Sequence, residues 1–74
     1  MTATTTREIE TMSRTGWIRR TLTSTEGPIV ADLLPLPFSP DGPLVDVVYW
    51  PAGWSRVQAH RAMRAAVADG RIRL

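Results

Sequence analysis

The clearest pattern of apolar and polar positions lies near the end of the chain. In the stretch from Ser55 to Asp69, apolar residues recur at intervals of three and four, at Ala59, Ala62, Met63, Ala66 and Val67. This period predicts an amphipathic helix with a small inner face that lies close to its neighbours. Ser55 with Gln58 matches a capping box, and Gly70 matches a C-cap glycine, so the helix is predicted over 55–69.

The pattern before residue 35 is less regular. Ile9, Met12, Ile18 and Leu22 fall at near-helical spacing and favour a helix that ends near Thr23, although WIRRTLTST also suits a strand. In TEGPIVADLLPLPF, Pro28 suits the first turn of a short helix. Pro35 and Pro37 would end that helix. The alternative is an extended segment that forms a hairpin with the preceding one through TEGP.

The remaining segments are short. PLPFSPDGP predicts a stiff, extended connector with a turn at SPDG. In LVDVVYW the β-branched and aromatic residues favour a strand, but the same residues could coat a short helix. RIRL alternates arginine with apolar residues and predicts a short terminal strand. Together these elements predict a mostly α fold with a small β component, with residues 1–6 disordered and residues 7–74 in one small domain.

Composition excludes several classes of protein. The 74 residues contain no cysteine and one histidine, so we expect no disulfide, no thiolate nucleophile and no metal site. No acid–base pair or phosphate loop is evident, which predicts a protein that is not an enzyme and needs no cofactor. No apolar run reaches the length of a membrane span and no signal peptide is visible, so a cytoplasmic protein without a membrane partner is expected.

Charge is unevenly distributed along the chain. Residues 28–52 hold three aspartates and no basic residue, whereas residues 53–74 hold five arginines against Asp69. A positive end points to an anionic partner. All nine basic residues are arginine, a bias typical of high-GC coding, as in actinobacteria and their phages.

Several conspicuous residues have ordinary structural explanations. We expect the three tryptophans, Trp17, Trp50 and Trp54, to supply much of the core of so short a domain. His60 is expected to be a solvated surface residue. The three aspartates of the middle segment lack the spacing of metal ligands and are expected on the surface.

Residues 42–74, GPLVDVVYWPAGWSRVQAHRAMRAAVADGRIRL, resemble the helix-turn-helix core of winged-helix regulators. Gly53, Trp54 and Ser55 match the turn that opens the recognition helix in that family. Gly70 with RIRL matches the end of that helix and the start of a wing. The resemblance implies a winged-helix-like helix-turn-helix fold with a truncated wing, and it implies binding to double-stranded DNA.

The resemblance also implies roles for six side chains. The N-terminal part of a recognition helix faces base edges, which makes Arg56, Gln58 and Arg61 the candidates for base contact. Arg64, Arg71 and Arg73 are the candidates for phosphate contact. The resemblance thus implies a transcriptional regulator or recombination accessory factor, of phage or mobile-element type, whose binding a homodimer on two half-sites would strengthen. No small-molecule ligand is evident.

The alternative is a small protein-interaction module. Its aromatic residues and the connector PLPFSPDGP would bind a host or assembly partner, and its arginines would face an acidic protein surface. Extended structure in residues 17–50 fits this alternative better than the first. Strand content well above helix content would therefore favour it.

Overall fold

The computed structural model describes residues 15–74 and consists of three strands followed by one helix. The strands are β1 (Ile18–Ser24), β2 (Gly27–Leu34) and β3 (Leu44–Tyr49), and the helix is α1 (Arg56–Ala68). The strands form one antiparallel sheet in the order β1-β2-β3. Of the described residues, 35% lie in strands and 22% in the helix, so the prediction of a mostly α, winged-helix-like helix-turn-helix fold is wrong.

The hairpin of β1 and β2 replaces two predicted helices. Ser24 pairs with Gly27 across the turn, and its hydroxyl donates to the Gly27 carbonyl at 2.6 Å. The helix ending near Thr23 and the short helix from Pro28 are therefore wrong for residues 18–34, and the alternative hairpin through TEGP is confirmed. Strand pairing prevails because alternate residues of β2 enter one core: Ile29, Ala31 and Leu33. The part of the first predicted helix before residue 15, and the predicted disorder of residues 1–6, lie outside the described residues.

β3 occupies the segment that the resemblance assigns to the second helix. It pairs with β2 from Leu34↔Leu44 to Val30↔Tyr49, with a register shift between Val30 and Ala31. Its valines suit a pleated surface, as the strand interpretation predicted. Among residues 15–74, α1 consequently has no preceding helix with which to form a helix-turn-helix. The turn predicted at SPDG is confirmed by the hydrogen bond from Gly42 N to Ser39 O.

α1 is the element that the sequence predicted best. The Ser55 side chain accepts from Gln58 N, and the Gln58 side chain accepts from Ser55 N, so both halves of the capping box are present. Gly70 follows the helix at a φ of +86° and reverses the chain. The predicted strand in RIRL does not form, because the reversed chain directs Ile72 into the core and ties its N–H to Ala66 O.

One core lies between α1 and the face of the sheet that carries Ala31. The predicted inner face of the helix is confirmed, with Ala59, Met63 and Ala66 buried and Ala62 and Val67 packed beside them. The small alanines let the helix approach the sheet closely. Trp50 and Trp54 pack against this core, as expected of tryptophans in so short a domain.

Candidate interaction surface

The six side chains predicted to contact DNA do not form one free cationic face. Gln58 is occupied in the capping box at the start of α1. Arg56, in the first turn, donates to Asp46 Oδ1 on β3 at 2.7 Å. The predicted base contacts therefore include one side chain that caps the helix and one that is paired with a carboxylate of the same domain.

Arg64 is held by backbone carbonyls of the loop before β3. Its Nη2 donates to the carbonyl of Asp41 at 2.6 Å, and its Nη1 lies 3.4 Å from the carbonyl of Pro43. The side chain therefore crosses from the helix to the loop and is half-buried. Two of its N–H groups are directed at the protein, while within residues 15–74 no carboxylate neutralises its charge.

The two arginines after α1 also have partners within the chain. Arg71 Nε lies 2.9 Å from Asp69 Oδ2, and this ion pair with its hydrogen bonds lowers the pKa of Asp69 and raises that of Arg71. Arg73 Nε donates weakly to Gly70 O, and the Arg73 carbonyl accepts from Arg20 Nε at 2.8 Å. The structure thus brings Arg20, which the sequence did not single out, beside the C-terminal arginines.

Arg61 differs from the other predicted contact residues. It is exposed on α1, and within residues 15–74 its guanidinium makes no hydrogen bond or ion pair. It lies on the same stripe of the helix as Arg64, Ala65 and Ala68, which are three, four and seven residues further on. Arg61 is therefore a charge that is available to a partner.

The loop of residues 35–43 presents an aromatic residue that the sequence interpretation included in the connector PLPFSPDGP but did not single out. Phe38 is 98% exposed, more than any other large hydrophobic residue of the described chain. The loop is stiffened by four prolines and closed by hydrogen bonds from Ser39 N to Leu36 O and from Gly42 N to Ser39 O. The signal in the sequence was one aromatic residue placed between proline and polar turn residues, where no strand or helix could bury it.

A groove lies beside this loop. It has a volume of about 510 Å³ and runs between the loop and the C-terminal half of α1. Its walls are mostly apolar, and Arg64 supplies a cation. Its lining includes Pro40, Asp41, Pro43, Val45, Arg64 and Val67.

β3 adds further exposed apolar surface. It is an edge strand of the described sheet, and Leu44, Val48 and Tyr49 are about half exposed. The other edge, β1, carries Arg19 and Arg20, and charged side chains discourage pairing with a further strand. β3 carries one charged residue, Asp46, and one bulge, and these are the features of this edge that discourage pairing with a further strand. Apolar contact surface therefore lies on the loop and on the β3 side of the domain.

The described residues offer no metal site and no membrane span. Residues 15–74 contain no group of three side chains placed to bind a metal ion. The helix in this part of the chain is too short and too polar to cross a bilayer. No family model, curated protein or solved structure matches this chain.

Proposed function

We propose that this chain is a small, non-enzymatic protein-interaction module whose anchor is Phe38. The observation that carries the proposal is the complete exposure of Phe38 on a loop that prolines and internal hydrogen bonds hold in shape. An aromatic side chain left in water forgoes roughly 1.5–3 kcal/mol of burial. A partner that covers the ring recovers this free energy, and a stiff loop loses little entropy when it is bound.

Two further features support the proposal. Aromatic residues in the centre of an interface supply much of its binding energy, and the exposed apolar residues of β3 can add surface around such a centre. Strands also outweigh helix in the described residues, which is the content expected of the interaction module. The partner surface we expect is apolar, with acidic groups placed to meet Arg61.

Site-specific photocrosslinking tests this function. A benzophenone amino acid is placed at position 38 of the full chain in the cells that produce it, and at position 25, an exposed turn residue, as the control. We expect one discrete protein adduct at position 38 and none at position 25. Excess wild-type chain should suppress the adduct, whereas excess Phe38→Ala chain should not. The same adducts at both positions, or none at position 38, would refute the proposal.

Binding to nucleic acid is the second candidate that we propose, and Arg61 is the observation that favours it. Its exposed guanidinium, together with those of Arg71 and Arg73 beyond the helix end, can reach phosphates. The candidate is weaker because Arg56 and Arg71 pair with carboxylates of the same domain and Arg64 donates to its carbonyls.

A mobility-shift assay across a salt series tests this second candidate. Each phosphate contact should contribute about −0.9 to the slope of log affinity against log salt concentration. Arg61→Ala should reduce that slope by about one contact if the candidate is correct. Absence of binding to any duplex at low salt would eliminate it.

A further inference from the structure

An exposed aromatic side chain and an apolar groove lie next to each other on this domain. Phe38 precedes Pro40, the first residue of the groove wall, by two positions. The ring is 98% exposed, so it does not occupy the groove of its own chain. We propose that a second copy of this chain covers Phe38, in a two-fold dimer in which each Phe38 ring enters the groove of the other copy. The inference rests on the proposed role of Phe38 as an anchor, and the partner that it assigns to Phe38 is a second copy of this chain.

Two-fold symmetry favours this arrangement. In an isologous interface one surface patch serves both copies, so a projecting group and the cavity that receives it must lie on the same patch. Phe38 and the groove share the loop of residues 35–43 and meet that condition. A single axis beside the loop would therefore make both contacts at once and leave no open end for further copies to add.

The chemistry of the groove suits an aromatic ring. Pro40, Pro43, Val45 and Val67 form its apolar part. Arg64 lines the groove, and two of its N–H groups point at the carbonyls of Asp41 and Pro43, so an entering ring would stack on the face of the guanidinium. A guanidinium face against an aromatic ring is a favourable cation–π contact.

Charges beside the groove are complementary. The Asp41 carboxylate is exposed and, within residues 15–74, makes no ion pair. Arg61, one turn before Arg64 on α1, is likewise unpaired in this part of the chain. In the two-fold dimer, Asp41 of each copy would lie against Arg61 of the other copy. Two equivalent ion pairs would therefore form across the interface.

Pairing through the β3 edge is a less favourable route to a dimer. In the antiparallel register centred on Asp46, the two Asp46 carboxylates would lie directly opposite each other, and like charges at such positions are destabilising.

Sedimentation velocity of the full chain tests the inference. Over roughly 10 µM to 1 mM we expect a monomer–dimer equilibrium. Phe38→Ala should weaken association at least about tenfold without changing the circular dichroism spectrum. Tyr49→Ala, which removes exposed aromatic surface at the end of β3 away from the groove, is the matched control and should leave association unchanged.

A charge exchange provides the second measurement. Asp41→Arg and Arg61→Asp should each weaken the dimer, and the double variant should restore it. A chain that is monomeric at every concentration, a dimer insensitive to Phe38→Ala, or a double variant weaker than both single variants would overturn the inference. If the chain is monomeric and position 38 still crosslinks to a different protein, the second copy is excluded while the proposed interaction function stands.

Discussion

Arg19 on β1 and Asp32 on β2 face each other across the sheet and form a bidentate ion pair. Nε of Arg19 lies 2.8 Å from Oδ1 of Asp32, and Nη2 lies 3.0 Å from Oδ2. Asp32 in turn faces Asp46 on β3, and Asp46 accepts from Arg56. The four side chains therefore form a row, Arg19–Asp32–Asp46–Arg56, in which the two carboxylates lie between the two guanidiniums. The row places two aspartates of residues 28–52 next to arginines from the segments before and after them.

Loss of Arg19 should destabilise the fold. Asp32 is only 5% exposed, and removing a charged partner from a buried carboxylate costs more than removing a surface pair. Arg19 itself is 39% exposed, so solvent screens part of the interaction. We expect Arg19→Ala to lower the free energy of unfolding by about 1–3 kcal/mol in urea denaturation. Arg61→Ala, the control, should change it by less than about 0.5 kcal/mol, and equal effects of the two variants would contradict this expectation.

The capping box should contribute measurably to the stability of α1. Ser55→Ala removes the acceptor for Gln58 N and should cost about 1 kcal/mol. Ser55→Asp keeps an oxygen acceptor at the same position and should retain most of the stability. Urea denaturation of the three proteins checks this ordering. Equal stability of the alanine and aspartate variants would show that the cap hydrogen bond contributes little.

Met63 should be the most sensitive position of α1. Its side chain is fully buried at the centre of the helix–sheet core, so Met63→Ala leaves a cavity and should cost about 2–5 kcal/mol. A domain of this size is stable by only about 4–11 kcal/mol, so thermal unfolding should shift far toward lower temperature. Val57→Ala on the exposed side of the same helix should have little effect. Similar melting temperatures for both variants would contradict the burial of Met63 in the helix–sheet core.

The Asp69–Arg71 pair should make stability depend on pH in a defined direction. The side-chain hydrogen bond from Arg71, and then its backbone N–H, lower the pKa of Asp69. A lowered folded-state pKa stabilises the fold above the ordinary pKa of an aspartate, and the gain is lost as the pH falls through the lowered value.

Arg71→Ala should raise the pKa of Asp69 only part of the way, because the backbone N–H of residue 71 still donates to the carboxylate. An NMR titration of the Asp69 carboxyl carbon in both proteins measures this shift. The stability difference between the two proteins should shrink on acidification. An unchanged titration of Asp69 would show that the ion pair is not formed in solution.

The helix and the turns follow from short-range features of the chain. The capping box, the alanine face and Gly70 all act within about fifteen residues, and backbone hydrogen bonds from residue i to i−4 make helix formation a local matter. The turn at SPDG depends equally on residues that are close in the chain. These features are present in the structure where the pattern placed them.

Long-range contacts settled the choice between strand and helix in residues 18–34, and they also set the orientation of the paired arginine side chains. A strand is stabilised by a neighbouring strand, so the apolar residues of β2 could not reveal their conformation until β1 and β3 lay beside them. The partners of Arg19, Arg56 and Arg64 lie 10 to 23 residues away, beyond the reach of any local pattern. The exposure of Phe38 has the same origin, because burial is a property of the assembled domain and not of the segment that contains the ring.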